Sequence, residues 1–414
     1  MSGLNVELYG SVLGTLAPGG KDFDFAVDEK IFKKYPLAST IMSLAVPLNL
    51  QFTVSQKKRA RNFFAELLPE GRNLRWLVQT IQPEERNIYG ILRKYGKDIA
   101  GALLIYDPLD TDSSKPPRAE KADHGKVRRL LENMPREPLA NSPISGKTSL
   151  GGVQGKIVLA KKNTSWYRAH FGYPSTHILK PIVPEYPTMI YDEAFCMQLA
   201  FELGLTSHPV WLENFDGADA LVIERYDRDG KALNGRIHQE DFNQVLGASG
   251  DEKYQEYGGK VSAKRMAGIL KQFCEIDVEN FATQLIFAIA IGNLDMHTKN
   301  VSVIHYPDQT VRLAPVYDQV PLRHQNTDGR MALSIGGEYV HANLTIDKII
   351  YELVSWKTNA FPSENIAGPF VKKCLEAFGS ALENVEASKK AYPSLKTDIA
   401  SFVNNLLSRK RISA

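Results

Sequence analysis

Asp295 and Asn300 stand five residues apart in Asp295-Met-His-Thr-Lys-Asn300, and Asp318 closes the nearby run Pro315-Val-Tyr-Asp318. Two carboxylates and an amide are the oxygen groups that phosphoryl transfer requires. One carboxylate orients and deprotonates an attacking hydroxyl, while an amide oxygen and a second carboxylate hold Mg²⁺ against the β- and γ-phosphates. The Asp-to-Asn separation equals that of the protein-kinase catalytic loop, so Asp295 is expected to face the hydroxyl, with Asn300 and Asp318 as the metal ligands. The same residues also suit a capped turn after a helix, with Asp318 an ordinary surface residue. Spacing alone leaves both readings open.

The elements around these residues favour convergence. Val301-Ser-Val-Ile-His305 and Thr310-Val-Arg-Leu313 are strand-like runs of similar length on either side of Pro307-Asp308, a turn signal. An antiparallel hairpin goes out and back, so it should return Asp318 to the neighbourhood of Asn300. An apolar helix over Val278 to Ile291 ends just before Asn293-Leu-Asp295 and would carry the loop on a rigid element.

Upstream, a Ser- and Gly-rich loop over 142–155 leads into the apolar strand Lys156-Ile-Val-Leu-Ala160. It is not a Walker A loop, because Leu150 and Ile157 stand where that motif needs glycine and a hydroxyl residue. The spaced pattern G-x-G-x-x-G also fails. What remains is a small-residue loop able to bring backbone N–H groups to phosphate oxygens. A second strand, His177-Ile-Leu-Lys180, places Lys180 within reach of phosphates. The helix that follows has Asp192 as its expected N-cap, Glu193 as the candidate acid for fixing Lys180, and Gly204 as its stop. A third strand, Ala220-Leu-Val-Ile-Glu-Arg-Tyr226, offers Glu224 to Tyr226 for an adenine edge, although an ordinary edge strand reads the same way. Loop, strand, strand with lysine, helix with an early acid, strand is the order of a kinase-type nucleotide lobe, followed by a mostly helical remainder.

With 414 residues, 43% hydrophobic and 23% charged, the chain has room for two or three domains. A net charge of +3 argues against a polyelectrolyte binder, and the basic runs at 57–61, 126–129 and 409–411 read first as solvated faces. Cys196, Cys274 and Cys374 lack metal-ligand spacing and suit buried, reduced thiols in the cytoplasm. No apolar run approaches a membrane span and no signal segment is evident, so no membrane association is expected. Strand-like pieces at Asn5 to Tyr9 and Phe23 to Val27, then a helix through Phe63-Phe-Ala-Glu-Leu-Leu68 stopped by Pro69 and Gly71, open the chain. The polar, proline-containing stretch 107–117 reads as a linker. The expected organisation is an N-terminal subdomain over 1–110, a linker and connecting helix over 111–139, a nucleotide-binding lobe over 140–228 and a helical lobe over 229–414.

Ser149-Leu-Gly-Gly-Val-Gln-Gly-Lys156, Thr176-His-Ile-Leu-Lys180, Ile223-Glu-Arg-Tyr-Asp-Arg228, the Asp295 loop and Pro315-Val-Tyr-Asp318 resemble, in order and spacing, the signatures of HipA-like serine/threonine kinases. Phe63-Phe-Ala-Glu-Leu-Leu-Pro69 is similar to the matching motif of that family's N-terminal subdomain. The resemblance implies an α+β chain with a two-lobed protein-kinase-like fold, an added N-terminal α/β subdomain and a mostly helical C-terminal lobe. It implies an ATP- and Mg²⁺-dependent toxin kinase of a bacterial toxin–antitoxin pair, held by a HipB-like helix-turn-helix antitoxin and reaching operator DNA mainly through it. Its protein substrate would be an aminoacyl-tRNA synthetase, typically the glutamyl enzyme.

By the same resemblance Asp295 is the base, Asn300 and Asp318 bind Mg²⁺, and Lys180 is the phosphate lysine. Gly151, Gly152, Val153, Gln154, Gly155 and Lys156 form the phosphate loop, and Glu224, Arg225 and Tyr226 hold the adenine. His297, Lys299 and Tyr317 complete the ATP site, and Ser149 is the autophosphorylated serine, with Ser142, Ser145 and Thr148 as rival acceptors. Gly155 and Met296 depart from the family pattern. Two other functions remain compatible with parts of this set: a non-catalytic antitoxin co-repressor, and a kinase for a small-molecule or lipid acceptor.

Overall fold

Leu4, Val6 and Leu8 are fully buried while Asn5 and Glu7 are partly exposed, the period-two burial of a strand packed on one face. The structure, a computed structural model, describes residues 3–19, 22–110, 115–134, 138–141, 149–150 and 155–408. It divides into two compact units: Met1–Pro181 with Trp211–Glu240 and Ile304–Thr310, and Ile182–Val210 with Asp241–Val303 and Val311–Ala414.

In the first unit Leu4–Leu8 sits between Ser11–Gly19 and Leu104–Tyr106, and Asp22–Val27 completes an antiparallel sheet. The sequence reading missed Ser11–Gly19. Its Gly14 is demanded by the sheet, since a Cβ there would lie 2.1 Å from the Ala26 carbonyl oxygen. The helix Val54–Ala65 begins in a reciprocal cap, Thr53 accepting the Gln56 N–H and Gln56 the Thr53 N–H. It drives Phe64 against Phe23 and Phe25, ring centroids 6.0 and 5.4 Å apart. The helix ends at Ala65, and Leu68, the residue in which Pro69 disfavours helical geometry, lies outside it. Gly71 opens the next helix, Gly71–Gln79, instead of closing the first.

A second sheet runs in the order Arg118–Ala122, Ser165–His170, Ile157–Lys162, His177–Pro181, Ala218–Glu224, Val210–Phe215. Its buried face gathers Ile157, Leu159, Trp166, Leu179, Phe215 and Val222 with Val127, Leu130 and Leu131 of the helix His124–Glu132. The central strands are legible as apolar runs. Arg118–Ala122 is polar because it is an edge strand, where charge discourages further pairing, and so it read as linker.

Between the loop 97–101 and the segment 225–236 lies a buried ionic network. Asp98 Oδ1 receives Arg228 Nη2 at 3.1 Å and Arg236 Nη2 at 3.5 Å. Asp227 receives Arg225 through two nitrogens, at 2.9 and 2.8 Å, and the Gly101 N–H at 2.7 Å. Further guanidinium donors reach the carbonyls of Ile99, Gly101, Ser175, Lys97 and Gly172. Burial alone would raise both carboxyls. The arginines outweigh it and hold both below the usual carboxylate range, while burial and Arg225 bring Arg228 down to about 10, still charged at neutral pH.

The second unit is mostly helical: Met189–Glu202, Ala263–Phe273, Val278–Ile291, Ile346–Ser355, Glu364–Asn384 and Leu395–Ser408. Val278–Ile291 is buried along nearly its whole length and packs Phe287 against Phe378, centroids 5.7 Å apart. Thr188, not Asp192, stands at the N-cap position of Met189–Glu202, with no side-chain capping bond, and the helix ends before Gly204, which takes φ +69°. Asp192 is fully buried and fastens the helix to later chain, receiving the Tyr392 N–H at 2.7 Å, the Thr188 hydroxyl at 2.7 Å and His324 Nε2 at 3.2 Å. Cys196 and Cys274 are buried as expected, whereas Cys374 is partly exposed; all three are free thiols. Among the described residues no helix is long and apolar enough to cross a membrane.

Two stability outcomes follow from these groups. Asp98→Ala strands the buried Arg236 guanidinium and leaves Arg228 with Asp227 alone, 3.0 Å away, so it should cost about 3–5 kcal/mol in urea unfolding; a loss under about 1 kcal/mol would show that the network is dispensable. Burial also pushes His177 down to about 4, His238 to about 3 and His341 to about 4. The unfolded chain takes up these protons below about pH 6.5 and the folded chain does not. Stability is therefore full above that pH and falls toward pH 4, by about 1.4 kcal/mol per histidine per pH unit. A denaturation midpoint unchanged between pH 7 and 5 would contradict this assignment.

Candidate active site

The helix Val278–Ile291 stops because Gly292 turns left-handed, φ +72°, returning the Gly292 and Asn293 N–H groups to the carbonyls of Ile289 and Ala288. The chain then folds on itself. Asp295 N–H donates to Asn293 Oδ1 at 3.1 Å, His297 N–H to the Asp295 carbonyl at 2.8 Å and Asn300 N–H to the His297 carbonyl at 2.9 Å. A single helical turn, Thr298–Asn300, completes the loop.

The strands Ser302–His305 and Val311–Leu313 form the expected hairpin, closed by Ala314 N–H on the Ser302 carbonyl at 2.8 Å and Tyr306 N–H on the Thr310 carbonyl at 2.9 Å. It brings Asp318 back to Asn300. Asn300 Nδ2 lies 3.5 Å from Asp318 Oδ2 and 3.3 Å from the Asp295 carbonyl. The Tyr317 hydroxyl meets Ser302 Oγ at 2.6 Å and the Lys299 carbonyl at 2.8 Å, and the Asn293 amide meets Gln319 Oε1 at 3.3 Å. Asp318 itself takes φ +55°, a strained backbone for a non-glycine residue, held by these flanking bonds.

Among the described residues no three His, Cys, Asp or Glu side chains gather in metal-ligating geometry. The donor set here is one carboxylate and one amide oxygen. That set fits Mg²⁺, which keeps several waters and takes one or two protein ligands together with substrate phosphates. With the Asn300 nitrogen directed at Asp295 and Asp318, its amide oxygen is the atom left for a cation.

Asp295 has a half-exposed side chain. One carboxylate oxygen receives the Tyr254 hydroxyl at 3.1 Å, and the other lies 4.0 Å from His297 Nε2. Tyr254 packs edge-on against His297, centroids 5.5 Å apart. Sequence reading missed Tyr254 because it lies in an irregular stretch 41 residues upstream with no motif around it. Lys299 is largely buried, its ammonium 3.9 Å from Asp241 Oδ2.

In the first unit Lys180 is buried in the strand His177–Pro181, opposite Leu221. Lys156 is also nearly buried, one residue ahead of Ile157–Lys162. Gly155 is packed against Met134, whose Cε would be 2.4 Å from an added Cβ. Gly151, Gly152, Val153 and Gln154 lie outside the described residues, as do Ser142, Ser145 and Thr148. Ser149 is fully buried: its N–H donates to the Asp98 carbonyl at 3.0 Å and its hydroxyl to the Leu67 carbonyl at 3.2 Å. Glu224 ends the strand Ala218–Glu224, and the Tyr226 hydroxyl bonds Gln239. In the second unit Glu193 is fully buried on Met189–Glu202.

The Arg225 side chain is turned into the first unit. Its N–H donates to the Thr176 carbonyl at 2.9 Å, its carbonyl receives the Arg228 N–H at 3.3 Å, and its guanidinium is committed to Asp227, Ser175 and Ile99. Its guanidinium is a buried strut of the first unit. Sequence proximity to Glu224 and Tyr226 carried it into the candidate set, and nothing local reveals that Asp98 lies beside it.

An Asp–Asn loop closing a buried helix, a second aspartate returned by a hairpin and a lysine on an antiparallel sheet define the class, a kinase-like α+β fold. The family model of the HipA-like C-terminal domain matches residues 148–384, and that of the HipA N-terminal domain matches 4–106. The chain belongs to the HipA-like family. A provisionally named kinase of Sinorhizobium fredii, Y4mE, is 30% identical over 366 residues, 83% of each chain. The serine/threonine-protein kinase toxin HipA of Shewanella oneidensis is 27% identical over 359 residues, 81% of this chain and 79% of that protein. A solved complex of Shewanella oneidensis HipA, HipB and operator DNA contains a chain that matches with a TM-score of 0.79 at 20% identity, covering 98% of this chain and all of that one.

Proposed function

We propose that this protein is an ATP- and Mg²⁺-dependent serine/threonine protein kinase acting in the cytoplasm as the toxin of a toxin–antitoxin pair. The carrying observation is the meeting of Asn300 with Asp318, 3.5 Å apart, beside the loop that presents Asp295. Names of relatives support the same reading: one is a serine/threonine-protein kinase toxin, and one structural match is a complex with HipB and operator DNA. A HipB-like helix-turn-helix antitoxin is the proposed partner, through which operator DNA is reached. The proposed substrate is a protein serine or threonine, on an aminoacyl-tRNA synthetase of glutamyl type, whose modification would halt translation and arrest growth.

In this mechanism Asp295 orients the acceptor hydroxyl and takes its proton as the hydroxyl oxygen bonds the γ-phosphorus. The bond from that phosphorus to the β-phosphate oxygen breaks, and its electron pair leaves with ADP. Asn300 and Asp318 would hold Mg²⁺, which when bound neutralises phosphate charge. Lys156, Lys180, His297 and Lys299 supply donors and positive charge for the phosphates, Glu193 is the supporting acid, Gly151 to Gly155 line the phosphate loop, and Glu224 and Tyr226 flank the adenine together with Tyr317.

Ser149 is the proposed autophosphorylation site. Its hydroxyl is buried against one carbonyl oxygen and its N–H is tied to another, so the segment must leave Leu67 and Asp98 before it can be modified. A phosphate of about −1.5 to −2 charge could not return among carbonyl acceptors, which would hold the segment out and inactivate the enzyme.

Incubation with labelled ATP and Mg²⁺ should give transfer that Asp295→Asn lowers by roughly 10²-fold or more; near-normal transfer by that variant removes the base assignment. Phosphopeptide mapping should place self-labelling at Ser149 and lose it in Ser149→Ala. Undiminished labelling of the same peptide in that variant would overturn the site.

A further inference from the structure

We infer that Tyr254 is a positioning residue for Asp295, fixing one carboxylate oxygen so that the other meets the acceptor hydroxyl. The inference rests on the reading of Asp295 as the base. A half-exposed aspartate on a loop can rotate about two side-chain bonds, and misplacement by a fraction of a bond length weakens proton acceptance. The Tyr254 hydroxyl removes that freedom by donating to Asp295 Oδ1 at 3.1 Å.

What makes this contact more than a chance meeting is how its two ends are tied together. The strand Arg330–Ile335 holds both. Ala332 N–H donates to the carbonyl of Leu294, immediately before Asp295, at 2.8 Å. The Ala332 carbonyl receives the N–H of Gln255, immediately after Tyr254, at 3.0 Å. One residue's peptide groups therefore set the separation of the two loops. Gln255 reinforces the clamp with its side chain, accepting the Ser334 N–H at 3.0 Å and donating to Ser334 Oγ at 2.8 Å.

A further tie lies on the other side of Asp295. The Thr298 hydroxyl reaches the carbonyl of Lys253 at 3.4 Å and Asn243 Oδ1 at 3.0 Å. The residues before and after Tyr254 are thus bonded to positions before and after Asp295 or to the strand that carries them. Between these anchors the phenol ring packs edge-on to His297 and Tyr257, centroids 5.5 and 6.1 Å away. The ring is held in orientation and the hydroxyl is its one polar reach. A second-site hydrogen bond of this kind orients a reacting group without itself touching the reactants.

The test is a double-mutant cycle on the full chain. Tyr254→Phe keeps the ring and removes only the hydroxyl, and it should lower kcat about 10-fold while the KM for ATP and the thermal midpoint stay unchanged. On an Asp295→Asn background the same change should have no further effect, because Tyr254 acts only through Asp295. A merely structural role would lower both backgrounds by the same factor and would move the midpoint. Gln255→Ala, which keeps the phenol and loosens its anchor, should show a smaller kcat loss that also vanishes on the Asp295→Asn background. Wild-type kcat in Tyr254→Phe, or equal losses on both backgrounds, overturns the inference. Near-normal transfer by Asp295→Asn alone is a different failure, one of the base assignment itself.

Discussion

Two buried aspartates facing three buried arginines organise the first unit. Asp98 comes from the loop after the N-terminal helices and Arg225, Asp227, Arg228 and Arg236 from the segment after the sheet's lysine-bearing core, so neither stretch could bury its charges without the other. Removing such ions from water costs several kcal/mol each unless every charge finds a partner and every donor an acceptor. Here other guanidinium donors end on the backbone carbonyls of Lys97, Ile99, Gly101 and Ser175, while Arg236 Nε is buried without a partner among the described residues. The same loop also takes the Ser149 N–H on the Asp98 carbonyl, so Ser149 is seated on the network's own backbone. Mutual dependence of this sort specifies one arrangement more than it adds net stability.

The second unit solves a different problem, that of holding an exposed carboxylate still. Its means are a helix buried along almost its whole length, a left-handed glycine that ends it sharply, and a hairpin that returns Asp318. Asp318 accepts an unfavourable backbone geometry there, and the bonds of Tyr317 and Gln319 on either side resist its relaxation. Rigid supports beneath a strained, polar loop keep its side chains from reorienting.

Legibility in the sequence followed the range of the physics involved. The Val278–Ile291 helix, the strands Ile157–Lys162 and His177–Pro181 and the hairpin were readable because apolar periodicity and turn residues act over a few neighbours. Arg118–Ala122 was not, because an edge strand exposed to water carries no apolar pattern. Asp192 looked like a cap from its place near a helix start, yet its carboxylate is spent on Tyr392 and His324, some 200 and 130 residues away, a choice no local rule contains.

Chain connectivity alone allows Asp295, Asn300 and Asp318 to meet, through the loop spacing and the similar arms of the hairpin. The residue pattern settles which strand carries Lys180 and which helix ends at the loop. Packing of distant segments sets the rest: Arg225 turns inward to Asp227, Ser149 is buried on Leu67 and Asp98, and Tyr254 grips Asp295 through a clamp set by Ala332. Those choices depend on hydrogen-bond partners distant in the chain, and a partner's identity is fixed only when packing has brought both donors and acceptors out of water together.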